Sequence, residues 1–332
     1  MHLPGHCDMA SDLPDGAGDL MINNLVVAKS NNYGLDRDGA LLSEAIRQTG
    51  SGVESSPING RLLWDQIMKR QVAERIIHIE RAFPNWFSAA GENVLIPNQE
   101  RFPRRHIGRL KGIDRVLAKT HHAAGIFADL GIATEYLGFT SPDRFDSDIE
   151  KDWRRFFHLA GGSTLKGTED VLALWARHPK WPELVVVQKA RNAPDHVPDN
   201  VALISGYLEE DELSRLQNAC GIHICPSRSE GWGHHIVEAM SCGGLVLTTD
   251  APPMNEHVSA ECGLVIAYAR TEPRHIGTNY FVDPEALKAG VETALAMTDG
   301  QMKELGQKAR QRYLQIDADF RSRVAEKLAF KT

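Results

Sequence analysis

PSRSEGWGHHIVEAMSCGGLVLTTDAPPMNE, residues Pro226–Glu256, decides the reading of this chain. It begins where a short apolar run, Ile222–Cys225, ends, as a buried strand would. Gly231 and Gly233 then allow a ligand to approach the backbone closely. A helix is expected over His234–Cys242. The first turn of a helix carries N–H groups without an internal partner and the positive end of the dipole, so the loop faces an anion site suited to phosphate. Glu230 lies just before this helix and Glu238 lies inside it. The neighbours of Glu238 are Ile236, Val237, Ala239 and Met240, so its carboxylate needs a partner, and the vicinal hydroxyls of a ribose would suit a bidentate acceptor. Cys242-Gly243-Gly244 supplies a tight turn into a strand at Leu245–Thr248. On spacing alone, a glycine-rich strand-to-helix loop used only as scaffold reads the same way, and the physics leaves both readings open.

Outward from this stretch, short apolar runs alternate with helical patterns, which argues for parallel sheets covered by helices on both faces. Upstream, strands are expected at Phe156–Ala160, Leu184–Val187 and Val201–Ile204, with helices over Thr168–Arg177 and from Glu210. Downstream follow a strand at Gly263–Ile266 and a long helical stretch from Pro284 to Lys331. The N-terminal half repeats the alternation. Strands are expected at Asn24–Ala28, Arg75–Ile79, Asn93–Ile96, Arg115–Ala118 and Glu135–Gly138, and helices over Asp38–Gln48, over Gly60–Ala73 and from Thr120. The polar run Ser141–Lys151 marks a boundary. The expected organisation is a loose extension over 1–20, a Rossmann-like domain over 21–145, and a second Rossmann-like domain over 150–310. A C-terminal helix over 311–332 would pack back on the first domain. Two doubly wound domains place a ligand in the cleft between them, at the carboxyl ends of the strands.

The pattern P-S-x-x-E-G-W-G-x-x-x-x-E-A-M-x-C-G-x-x-V resembles the E-x7-E segment of the retaining glycosyltransferases of family 4, which have the two-domain GT-B fold. The likeness is close over the motif, weaker over Phe156–Phe320 and faint in the N-terminal half. It implies roles residue by residue. Glu230 would contact the transferred sugar, and the backbone of Gly231, Trp232 and Gly233 would approach sugar and diphosphate. Glu238 would hold the ribose, and Lys166, in a Lys-Gly pair at a helix start, would contact the diphosphate. A fixed cation there stabilises the negative charge that grows as the sugar departs. Gly206-Tyr207-Leu208 matches the segment near the nucleobase, which makes Tyr207 and Leu208 donor-side residues. The family's arginine a few residues before the lysine is missing. In its place stand Gly161-Gly162-Ser163-Thr164-Leu165, so either the backbone at Gly162 and Ser163 compensates or Lys189 or Arg191 supplies the second cation. His234, next to a second histidine, could reach the phosphates or could simply begin a helix. The resemblance implies front-face attack with retention, in which the departing phosphate takes the acceptor's proton, and it implies neither a metal nor another cofactor.

The N-terminal half says less. Gly34 ends a loop, Asn31–Gly34, that would face the donor phosphates, and Asn98 stands at a strand's carboxyl end on the acceptor side. His78 reads best as a core histidine. The whole chain, with 332 residues, 42% apolar and net charge −7, has the balance of a globular protein and not of a nucleic-acid binder. Arg101–Lys119 is the local exception, with seven bases against Asp114. It is either an ordinary solvated face or a peripheral contact for an anionic membrane or a phosphorylated acceptor. Five cysteines without a C-x-x-C indicate a reduced, cytoplasmic protein. No apolar run reaches membrane-spanning length, and the N-terminus lacks the pattern of a signal peptide. Two other functions compete with transfer: a hydrolase or epimerase of sugar nucleotides, and a non-catalytic nucleotide-sugar-binding protein with a degenerate GT-B fold. Metal binding through Cys220, His223, Cys225 and His234 is disfavoured by spacing.

Overall fold

The computed structural model describes residues 22–29, 34–206 and 208–330. The first sheet is built from β1 (Ile22–Ala28), β2 (Val53–Pro57), β3 (Ala73–Glu80), β4 (Glu92–Pro97), β5 (Arg115–Ala118) and β6 (Thr134–Tyr136), in the order β2-β1-β3-β4-β5-β6 and parallel throughout. Its helices are α1 (Gly34–Arg47), α2 (Leu63–Ile67) and α3 (His121–Asp129). The second sheet contains β7 (Asp152–Gly161), β8 (Leu184–Gln188), β9 (Val201–Ser205), β10 (Cys220–Cys225), β11 (Leu245–Thr249) and β12 (Leu264–Ile266). It is also parallel, in the order β12-β11-β10-β7-β8-β9. Among its helices are α4 (Thr168–Arg177), α5 (Glu210–Ala219), α6 (His234–Ser241) and α7 (Met254–His257). A hairpin, β13 (Tyr268–Arg274) with β14 (Gly277–Val282), precedes α8 (Pro284–Ala296) and α9 (Asp299–Leu328).

Strand order locates the cleft. In the second sheet the chain runs outward from β7 to β9, then returns to the other side of β7 at β10. The loops after β7 and β10 therefore diverge at a topological switch point, where open α/β sheets bind ligands. The first loop leads to Lys166 and the second is Pro226–Gly233. One apolar cluster joins the two halves: Leu35, Leu42 and Ile46 of α1, Trp232, Ile236 and Met240 around α6, and Tyr313, Phe320 and Val324 of α9 all belong to it. Helix α9 begins in a capping box at Thr298 and Gln301. It crosses the α6–β11 turn so closely that a Cβ on Gly306 would stand 2.2 Å from the Gly243 carbonyl oxygen. Its far end meets the first sheet, where Arg75 donates to the Leu328 carbonyl at 2.9 Å and Arg115 to that of Lys327 at 2.9 Å.

Two expectations need correction, and two elements went unread. The helix expected over Gly60–Ala73 shrinks to α2, none of whose residues is buried. Its apolar residues do have helical spacing, but they face water. Strand β2 escapes the pattern because VESSP is an exposed edge strand with only Val53 buried, so no alternation marks it. The basic run Arg101–Lys119 is not one surface. Lys119 is buried in an ion pair with Asp38, and Arg115 binds Glu92 at 2.8 Å and Glu135 at 3.3 Å. Arg101, Arg104, Arg105 and Lys111 are the exposed remainder, the last three on a 3₁₀ segment, Arg104–Gly112. The hairpin β13–β14 went unread because Tyr268–Arg274 is almost wholly exposed and carries four polar or charged residues among its seven.

Candidate active site

Lys166 and Glu230 are brought together by the two diverging loops. Gly167, the N-cap of α4, is left-handed at φ 68°, and a Cβ there would lie 2.5 Å from the Pro226 carbonyl oxygen. Glycine is thus required for the β7 loop to close against the β10 loop. The Lys166 ammonium donates to Glu230 at 2.7 Å and to His235 Nδ1 at 2.9 Å. Because Nδ1 accepts, His235 carries its proton on Nε2 and donates to Ser227 Oγ at 3.1 Å. Burial, then the Lys166 charge, hold His235 well below the usual histidine range, so it stays neutral. Gly233, at φ 98°, is the N-cap of α6. The helix start expected from the sequence is therefore present.

Glu238 is buried to 1% exposure and fully engaged. Arg37 of α1 pairs with it across the cleft, Arg144 lies 3.7 Å away, and Gln217 donates at 3.1 Å. Arg37 and Arg144 also share Glu210. His234 is likewise occupied on both nitrogens. Its Nε2 donates to Asp38 at 2.9 Å, and Nδ1 is 2.8 Å from Ser141 Oγ, which accepts from the Trp232 indole at 3.2 Å. Burial opposes ionisation of Asp38, but Lys119 and His234 outweigh it and keep its pKa below normal. Serine, histidine and aspartate are thus linked in order, yet Lys119 neutralises the aspartate and Ser141 is 2% exposed. The chain ties the two halves together and does not present a nucleophile.

The remaining expected residues divide between the cleft and its walls. Gly162 lies under both cations of the next loop: a Cβ on it would be 3.0 Å from Arg191 Nη2 and 3.1 Å from Lys189 Cδ. Arg191 donates to the Gly162 carbonyl at 3.1 Å. Ser163 Oγ accepts from the Leu165 amide at 3.1 Å. Ser163, Thr164, Gln188 and Asn192 line a cleft of about 300 Å³, and the buried Gln188 Oε1 has no hydrogen-bond partner. Leu208 packs on the core beneath β7–β9. Tyr207 and Asn31–Tyr33 lie outside the described residues. Gly34 is the first residue of α1, one turn from Arg37 and Asp38. Asn98 accepts from Lys119 at 3.0 Å and sits against Gly231, where a Cβ would be 2.5 Å from its amide oxygen. His78 is the core histidine expected: it is fully buried and bonded to Asn93 at 3.1 Å, and burial holds it down to about 4.

Sequence reasoning missed Arg37, Asp38 and Arg144, because each finds a partner in the C-terminal half, and gave no role to His235, whose partners Lys166 and Ser227 stand on two separate loops. Glu100 belongs to the same expected acceptor-side stretch as Asn98, at the carboxyl end of β4. It is 6% exposed, and its Oε2 has no partner. Burial pushes its pKa up to about 7, and the Glu230 carboxylate adds to the rise. Since the folded state keeps this proton longer than the unfolded chain, stability falls as pH rises from about 4.5 to about 7. Glu100→Gln is expected to raise the unfolding free energy at pH 8 by up to about 3 kcal/mol and to change it little at pH 4. Denaturant titrations at the two values decide it; an equal loss at both would mean that the carboxyl is needed in either form.

Residues 193–312 match the family described as glycosyl transferases group 1, just over a third of the chain. No curated protein matches in sequence. Three solved structures are similar. Anabaena HepE in complex with UDP is 15% identical, covering 92% of this chain and 99% of that one at a TM-score of 0.70. Sucrose-phosphate synthase from Thermosynechococcus elongatus is 12% identical, with 90% and 96% covered at 0.68. A glycosyltransferase from Rickettsia africae is 13% identical, with 91% and 97% covered at 0.68. The fold is GT-B. In GT-B terms, Lys166, Glu230 and the starts of α4 and α6 sit at the switch point of the C-terminal sheet, and Arg37, Asp38, Asn98 and Glu100 face them from the N-terminal one.

Proposed function

We propose that this protein is a retaining glycosyltransferase that moves a hexose from a nucleotide-diphosphate sugar to an acceptor held by the N-terminal half. The observation that carries this reading is the Lys166–Glu230 pair set between the N-termini of α4 and α6, at 2.7 Å. It gives a departing diphosphate a cation and two helix starts, and gives the sugar a carboxylate. Lys189 and Arg191 at Gly162 take the place of the arginine that this pattern of site usually has. The cleft beside them, with the unpartnered Gln188 Oε1, is suited to a polar part of the donor. HepE is also solved with UDP-glucose, which favours a uridine donor. The charge is supplied by lysine and helix ends, so the step needs no metal ion. On this reading the diphosphate oxygen takes the acceptor's proton, and Glu230 serves as an electrostatic and positioning group.

A screen of the purified protein against UDP-, GDP-, ADP- and TDP-sugars tests the reading. One donor is expected to raise the melting temperature and to lose its sugar slowly to water. Stabilisation without any sugar loss, even with candidate acceptors, would favour the binding-only alternative. No stabilisation by any of them would remove the proposal.

A further inference from the structure

We propose that the turn Leu62–Met68 is a membrane-docking element, which places its apolar side chains in the interfacial layer of a bilayer containing anionic lipid. Five large apolar residues in seven are turned to water: Leu62 is 69% exposed, Leu63 71%, Trp64 69%, Ile67 63% and Met68 61%. A contiguous patch of this kind on a folded protein marks an interaction surface, whereas apolar residues exposed singly do not. The turn is not loosely held. Arg61, itself 6% exposed, donates from Nη1 to the Asn85 carbonyl at 2.6 Å and to Ser88 Oγ at 3.1 Å, and from Nη2 to the Asp65 and Arg70 carbonyls at 3.1 and 2.9 Å. Gln66 donates back to the Arg61 carbonyl at 3.1 Å. A buried guanidinium therefore fixes the backbone of a segment whose side chains bury nothing, and the fold spends polar contacts to hold them outward.

The surrounding charge identifies the occupant. The exposed Lys69 and Arg70 follow the patch directly, and Asp65 is the sole acid between Arg61 and Gln71. The 3₁₀ segment Pro84–Ala89 touches both α2 and the basic 3₁₀ segment, on which Arg104, Arg105 and Lys111 are exposed. Tryptophan and aliphatic side chains bordered by lysine and arginine match the polarity profile of a bilayer interface with anionic headgroups. A second copy of the chain fits less well: a two-fold contact centred on this patch would bring two sets of the same Lys69 and Arg70 charges into one interface. The inference is independent of what the cleft transfers.

Flotation of the full-length protein with vesicles tests it, using phosphatidylcholine alone and phosphatidylcholine with about 30 mol % phosphatidylglycerol. The wild type is expected to float with the anionic vesicles and to be released by salt. Leu63→Ser/Trp64→Ser, at two exposed sites, is expected to keep its melting temperature and to bind those vesicles at least about tenfold more weakly. Lys69→Glu/Arg70→Glu should weaken binding to the anionic vesicles and leave the weak binding to phosphatidylcholine alone unchanged. Three results would overturn the proposal: no flotation of the wild type, equal flotation of the Ser/Ser variant, or a wild-type dimer that this variant breaks.

Discussion

Lys166→Ala is expected to lower kcat for sugar transfer by about a hundred- to a thousandfold, the usual cost of removing one pre-set charge from a developing anion. Before any ligand arrives the Lys166 ammonium is already fixed, by Glu230 at 2.7 Å and by the neutral His235 at 2.9 Å. It therefore needs little reorganisation when the diphosphate begins to leave. His235 accepts from the ammonium without adding a charge of its own. The variant should still fold. Its side chain is 15% exposed, and the loss leaves Glu230 short of a counter-ion at the edge of the cleft, a cost of about 1–3 kcal/mol. Lys166→Arg separates charge from shape: it keeps the cation but offers a planar fork where the site holds a point charge, so it should recover part of kcat. Single-turnover rates with saturating donor give the comparison. If Lys166→Ala kept kcat within about threefold of wild type, the lysine would be a structural ion-pair partner and the assignment of the diphosphate would fail.

How far the sequence reveals this site depends on whether a role is local. The strand-to-helix loops are local: glycines at 167 and 233, apolar runs before them and helical spacing after them mark both helix starts to within a residue. Parallel topology follows from the alternation of elements. What crosses the cleft is not local. Nothing near Asp38 announces that Lys119 and His234, 81 and 196 positions away, will hold it. Nothing around Arg37 points to Glu238. Exposure is equally hidden, because α2 has the apolar spacing of a core helix and yet buries none of its residues. Strand β2 shows the reverse case, in which backbone pairing to β1 makes a strand of residues whose side chains carry no pattern.

Glu238→Ala is expected to be the most destabilising single change at the cleft, by about 3–5 kcal/mol. It would leave the Arg37 and Arg144 guanidiniums together beside an empty buried site. That loss alone does not show what the carboxylate does for a ligand, because a structural ion pair predicts it too. Arg37→Ala does show it. Arg37 is 29% exposed at its side chain, and without it Glu238 keeps Arg144 and Gln217, so the fold should lose no more than about 1 kcal/mol. If Glu238 holds the donor's ribose, Arg37 occupies the same carboxylate in the free protein and a donor must displace it. Removing Arg37 should then tighten donor binding by up to about fivefold, the equivalent of the roughly 1 kcal/mol of pairing that no longer has to be broken. Calorimetric titration of wild type and Arg37→Ala with the donor identified by the screen measures this. Tighter binding places the ribose at Glu238. Unchanged binding confines Glu238 to joining α1, α5 and α6, and weaker binding makes Arg37 itself a contact of the donor, which moves the anionic part of the ligand toward the N-terminal sheet.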